Sequence, residues 1–226
     1  MISKVISSID FSLLSPEDIR KLSAARIITA DTYDEDGLSI PSGLMDPRLG
    51  TIEPGRRCAT CGNRLGECPG HFGHIELARP VVHVGYAKRL LKWLRSICRG
   101  CSRILLTDEQ QDFYHKRLEK HMEVFHELDE DTVKEIYKIC RKAKTCPHCG
   151  EDRYKIKIEK PTSYLMETDE GTKPINTKDV RRFFEKMIPE DLWFIGINPD
   201  VTRPEWTILT ALPIPPVCVR PSITLE

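Results

Sequence analysis

A chain of 226 residues has room for one or two domains, each large enough to bury a core. Its 34 basic and 34 acidic residues cancel, which excludes a general polyanion binder held by overall charge. No run approaches the ~20 apolar residues that span a bilayer, and Lys4 and Asp10 interrupt the segment where a signal peptide would lie, so a cytoplasmic protein with no membrane partner is expected.

In chain order, Ser15-Pro16-Glu17-Asp18 has the form of a helix start, serine as N-cap and proline at the first helical position, with the helix running to about Ala25. From Asp31 to Arg57 the chain is rich in Asp, Gly and Pro and reads as a long irregular segment. Within it, Asp34-Glu-Asp-Gly37 invites a cation-loop reading. With Gly37 at the sixth loop position, however, Thr32 falls first and Gly43 twelfth, so the calcium pattern fails and a solvated turn is expected. Val84, Ala87, Leu90, Leu91, Leu94 and Ile97 recur at helical spacing and predict an amphipathic helix over 84–97. A capping box at Thr107 to Gln110 and an acidic first turn after Asp129 predict a helical hairpin. Tyr154 to Glu159 alternates as a strand does. Asn176-Thr177 caps a helix with Val180, Phe183, Phe184 and Met187 on one face, Pro189 begins a short helix, and Trp206 to Leu212 reads as a strand.

Two quartets organise this framework. Cys58-x2-Cys61 is followed by Cys68-x2-His71, and Cys98-x2-Cys101 by Cys146-x2-Cys149 across the hairpin. Each short pair can place two soft donors on one ion, and a tetrahedral Zn2+ needs four N or S donors at about 2.0–2.3 Å. With all eight positions filled by protein, both sites read as structural zinc. A redox pair usually comes alone, and a disulfide framework suits a small secreted scaffold. His74 lies one helical turn beyond His71 and competes with it as fourth donor. Cys140 shares a helical face with Val133 and Ile136 and reads as a small buried hydrophobe, while Cys218 carries no signal.

Charge is unevenly spread. No acid occurs from Ala78 to Thr107, where Arg79, Lys88, Arg89, Lys92, Arg95, Arg99 and Arg103 fall. A second basic run, Lys138 to Lys160, is thinned by Glu151, Asp152 and Glu159. Such clusters can track phosphates or form a solvated face. Phosphate loops, zinc-hydrolase motifs and triad orders are not recognisable in the sequence.

The runs Gly43-Leu-Met-Asp-Pro-Arg48-Leu-Gly-Thr, Cys68-Pro-Gly-His71-Phe-Gly-His74-Ile-Glu-Leu77 and Leu212-Pro-Ile-Pro-Pro-x3-Arg220-Pro-Ser222, with the first quartet, resemble the amino-terminal part of the largest subunit of multisubunit DNA-dependent RNA polymerase. The compact second quartet is similar to the archaeal form, whose largest subunit is split in two. The resemblance implies an α+β fold, an irregular zinc-stapled clamp module with a helical hairpin and small antiparallel sheets. It implies a clamp that closes over template and downstream DNA to support processive RNA synthesis, in a nucleotidyltransferase whose Mg2+ loop lies outside this chain; the segment alone would be inactive. Other polymerase subunits, DNA, and initiation and elongation factors are the implied partners. Arg56, Arg57, Lys88, Arg89, Lys92 and Arg95 are the candidate DNA contacts. The expected division is 1–57 as helix and loop-rich entry, 58–97 as first knuckle and amphipathic helix, 98–160 as second zinc module, and 161–226 as an α+β segment ending before the family's lid. A stand-alone zinc-ribbon adaptor binding protein or nucleic acid is the alternative.

Overall fold

The computed structural model describes residues 12–168 and 171–220; the Met1 to Asp10 segment and Pro221-Ser222 of the last motif lie outside them. The chain divides into two compact units, one built on Leu14–Arg79 with the chain from Leu209 onward, the other on Pro80–Ile208.

In the first unit, helix α1 (Pro16–Leu22) starts as expected, with Ser15 Oγ accepting from the Asp18 amide at 3.0 Å. It stops three residues short of Ala25. Residues Ser23–Arg26 become strand β1, which pairs parallel with β2 (Phe72–Val82), matching Ser23 to Phe72 and Arg26 to His74. Ala25 is buried by that pairing, and sheet formation overrides the helix propensity of Ala24 and Ala25. Strand β6 (Ile208–Ile214) completes the order β1-β2-β6. Ala25, Ile27, Met45, Leu49, Ile214 and Val217 form the core of this unit. The Asp34 turn is a local hydrogen-bonded loop, in which Asp34 Oδ1 accepts from the Asp36 amide at 3.1 Å and the Leu38 amide at 2.7 Å.

In the second unit, the expected 84–97 helix is divided. Val84–Tyr86 forms a 3-10 turn, α2 covers Ala87–Leu94, and the chain leaves the helix at Arg95 to enter the Cys98 hairpin. Leu90 and Leu94 are buried, and Lys88, Arg89 and Lys92 stand on the exposed face. The helical hairpin forms as read. Both capping-box bonds start α3 (Asp108–Phe125), and Asp129 caps α4 (Glu130–Lys142) by accepting from the amides of Asp131 and Thr132. Strands β3 (Lys155–Glu159), β4 (Ser163–Thr168) and β5 (Gly171–Ile175) make an antiparallel meander. Pro174 sits in the edge strand, where its missing N–H interrupts no ladder on the outer side. Helices α5 (Thr177–Glu185) and α6 (Pro189–Phe194) follow. Trp206 falls in the 3-10 turn Pro204–Thr207 that precedes β6 rather than in the strand itself.

The core here includes Leu90, Ile104, Leu106, Ile136, Cys140, Tyr164, Phe184 and Leu192. Its buried polar tips are satisfied by backbone: Trp93 Nε1 donates to Ile195 O at 3.0 Å and Tyr164 Oη to Ala87 O at 2.8 Å. The α+β class is as expected. One sheet is antiparallel, whereas the β1–β2 pairing is parallel, because residues 27–71 bring the chain back to the start of β1, opposite Ser23, before β2 begins.

Candidate metal centres

Three of the four Cys-bearing turns share one backbone pattern. The first cysteine's amide donates to the carbonyl five residues on, and its carbonyl accepts from the amide four residues on. The pairs are Cys58 with Asn63 (2.9 Å) and Gly62 (2.8 Å), Cys98 with Arg103 (2.8 Å) and Ser102 (3.1 Å), and Cys146 with Glu151 (2.8 Å) and Gly150 (2.9 Å). This turn requires a left-handed residue at the fourth position, and φ there is 73° at Gly62, 58° at Ser102 and 75° at Gly150. Serine at 102 is therefore strained where its two counterparts are not, and its fully buried Oγ has no hydrogen-bond partner. Left-handed geometry costs a non-glycine residue about 1–2 kcal/mol, against about 0.5–1 kcal/mol of extra glycine entropy. Ser102→Gly is accordingly expected to raise the thermal midpoint by a few degrees; a lowered midpoint in calorimetry would show that the hydroxyl is needed.

These turns bring the donors together. The ligand atoms of Cys58, Cys61, Cys68 and His71 lie within 4.8 Å of one another, as do those of Cys98, Cys101, Cys146 and Cys149. Sγ–Sγ separations are 3.6 Å for Cys61–Cys68, 3.5 Å for Cys98–Cys149 and 3.7 Å for Cys101–Cys146. Four sulfurs placed about 2.3 Å from a central ion stand about 3.8 Å apart, so the quartets have nearly the size of a tetrahedral thiolate cage. A disulfide would need about 2.05 Å. Backbone amides of Thr60 and Gly70 point at the sulfurs of Cys58 and Cys68, both at 3.4 Å, where they stabilise negative charge. Burial pushes the thiols of Cys68 and Cys98 up, whereas a backbone hydrogen bond at Glu151 draws that of Cys149 down. Four thiolates, or three with an imidazole, are stable so close together only against a cation, which a divalent ion supplies.

His71, not His74, is the histidine whose ring nitrogen lies with the three sulfurs of the first quartet. His71 Nε2 is buried and has no hydrogen-bond partner. The His74 ring is occupied elsewhere, its Nδ1 2.7 Å from Ser23 Oγ and its Nε2 3.5 Å from Glu76 Oε1. His71→Ala is expected to remove one of two bound metal equivalents and His74→Ala neither, as measured by elemental analysis. Cys140 stands apart from both quartets, fully buried on α4, and burial pushes its thiol up to about 12, so it packs as a hydrophobe.

The candidate DNA contacts separate by environment. Arg95 is committed to structure, donating to Ile156 O through Nε (2.9 Å) and Nη2 (2.6 Å). Arg56 pairs with Glu53 at 2.5 Å, and Arg57 donates to Gly62 O at 3.1 Å within the first knuckle. Lys88, Arg89 and Lys92 share the exposed face of α2. The sequence reading missed Asp191, whose buried carboxylate ties α6 to the turn after Cys101 by accepting from Arg103 Nε (2.8 Å) and the Ile104 amide (2.9 Å). Its only sequence signal is an acid in the first turn of a short helix.

Residues 3–226 match the family model of RNA polymerase Rpb1, domain 1. The chain belongs to that family. Relatives of this Rpb1 domain 1 chain include proteins named DNA-directed RNA polymerase subunit Rpo1N. They are 53% identical over 225 residues in Methanothermobacter thermautotrophicus (strain Delta H), 51% over 231 residues in Methanocaldococcus jannaschii and 52% over 234 residues in Thermococcus celer. Each match takes in the whole of this chain, but only 25%, 17% and 25% of the respective relative, so the chain spans a quarter or less of their length. The resemblance drawn from the motifs, including its archaeal character, agrees with this membership. No helix among the described residues is long and apolar enough to cross a membrane.

Proposed function

We propose that this chain is the clamp region of the largest subunit of a DNA-dependent RNA polymerase, a cytoplasmic nucleotidyltransferase. It closes over template and downstream DNA and supports processive synthesis. The observation that carries this reading is identity above one half to Rpo1N subunits across the whole chain. Two structural Zn2+ ions brace the clamp, one held by Cys58, Cys61, Cys68 and His71, the other by Cys98, Cys101, Cys146 and Cys149. Zinc supplies charge neutralisation and cross-linking there, and these residues fix its geometry with four protein donors each. Mg2+ chemistry belongs to another part of the enzyme, and the segment alone is inactive. Other polymerase subunits and the initiation and elongation factors that bind the clamp are its protein partners. The segments 1–57, 58–97, 98–160 and 161–226 serve as entry, first knuckle with helix, second zinc module and clamp head.

Lys88, Arg89 and Lys92 meet DNA phosphates in this account, with Arg56 and Arg57 as further contacts and Arg95 holding the scaffold beneath. In polymerase assembled with the full-length subunit, reversing Lys88, Arg89 and Lys92 to Glu is expected to shorten the lifetime of elongation complexes. The salt dependence of DNA retention should fall by about 0.9 in log–log slope per lost phosphate contact. Unchanged lifetime and slope would remove α2 from the DNA path. Absence of the chain from active polymerase would overturn the clamp reading itself.

A further inference from the structure

Three consecutive carbonyls of the 3-10 turn Pro47–Leu49 each receive a hydrogen bond from the first quartet's turns. Pro47 O accepts from the Ala59 amide at 3.1 Å, Arg48 O from Thr60 Oγ1 at 2.7 Å, and Leu49 O from the His71 amide at 3.1 Å. The first two bonds hold the Cys58–Cys61 turn and the third holds the Cys68–His71 segment. One short turn therefore touches both halves of the quartet while supplying no ligand.

The turn itself is locked. Asp46, 1% exposed, accepts from the Arg48 amide (2.8 Å), from Arg48 Nε (2.9 Å) and Nη2 (2.7 Å), and from the Ser42 amide. The Leu49 amide closes the turn on Asp46 O at 2.9 Å, and the Leu49 side chain is fully buried in the core of its unit. Proline at 47 fixes one dihedral in advance. The neighbouring Gly50 lies against the same centre, where an added Cβ would stand 3.5 Å from Gly70 Cα and 3.8 Å from Cys68 Sγ.

We propose that the Pro47–Leu49 turn, locked by Asp46 and Arg48, is the positioning element of the first metal centre. It sets the separation of the two donor pairs so that the ion meets a quartet already spaced for it. Residues that orient ligands without binding the ion typically control affinity by about 10- to 100-fold. This inference rests on the reading that the quartet holds a metal.

The test uses the whole chain loaded with Co2+ and with Zn2+, followed by release to excess EDTA. The cobalt–thiolate bands distinguish a three-sulfur, one-nitrogen centre from a four-sulfur one, so each site is followed separately. In Asp46→Asn the first centre is expected to release its metal about tenfold faster or more, with altered cobalt bands, while the second centre keeps its rate. Thr60→Val, which removes one hydroxyl and leaves the Asp46–Arg48 pair intact, should move the first centre the same way by a smaller factor; it decides the matter if Asp46→Asn does not fold. Asp36→Asn, on the exposed turn, should change neither. Equal acceleration at both centres, or unchanged release in both Asp46→Asn and Thr60→Val, would overturn the inference. A wild-type chain with no cobalt–thiolate band at the first quartet would instead overturn the metal reading beneath it.

Discussion

Stripping the metal from this chain should unfold the segments around both quartets, with loss of far-ultraviolet circular dichroism and of amide protection over 58–71, 98–106 and 144–153. Structural zinc contributes an apparent ~10–16 kcal/mol in small metal modules, as much as the ~5–15 kcal/mol that holds a typical domain folded. Apart from an ion, the first quartet has three hydrogen bonds to the Pro47–Leu49 turn and the second its share of the hydrophobic core, which together are worth less than the metal. Each cysteine pair is closed by two backbone hydrogen bonds, and without an ion the buried sulfurs of Cys58, Cys98 and Cys146 become either desolvated thiols or repelling thiolates. The second quartet has the wider reach, since Cys98 and Cys146 belong to the core that also contains Leu90, Leu118 and Ile136. Its loss should loosen α2 and the α3–α4 hairpin together. Native dichroism after complete metal removal would contradict this.

Asp191→Ala should be a strongly damaging substitution away from the metal ligands, costing about 1–3 kcal/mol, the usual effect of leaving a buried donor without its acceptor. Its carboxylate is fully buried, and one oxygen receives both Arg103 Nε and the Ile104 amide. Truncation leaves a buried amide and a guanidinium without their acceptor in the turn that follows Cys101. For a chain of this length each kcal/mol moves the thermal midpoint by about 2–4 °C, so a fall of roughly 2–12 °C is expected. A double-mutant cycle with Arg103→Ala should return a coupling energy above about 1 kcal/mol. A cost below that for Asp191→Ala alone would show that the site collapses without penalty.

Local signals were legible in the sequence wherever a few adjacent residues decide the structure. Ser15, Thr107, Asp129 and Asn176 each cap the helix their chemistry announces, and the paired Cys-x2 spacings bring their donors together as the metal reading requires. Illegible features depend on partners distant in sequence. Ser23–Arg26 leaves its helix because β2 pairs with it, and β2 lies past the whole first quartet. Strands β4 and β5 lack clean alternation, and Pro174 masks the second; they are fixed by register against β3. The role of the Asp-Pro-Arg-Leu run was likewise hidden, since as sequence it carries part of the family resemblance and names no contact. Its three carbonyls acquire meaning when Ala59, Thr60 and His71 are placed against them. The choice between His71 and His74 needed Ser23 and Glu76, residues no spacing rule connects to it.

The most direct test of the central claim, two zinc centres held wholly by protein donors, is X-ray absorption at the zinc edge together with metal content, measured on the purified chain. The quartets contain seven cysteines and one histidine. The expected result is two zinc ions per chain, an average first shell dominated by sulfur at about 2.3 Å, and a minor nitrogen contribution at about 2.0 Å in the ratio seven to one. One ion per chain, or a shell containing oxygen in place of sulfur, would contradict it.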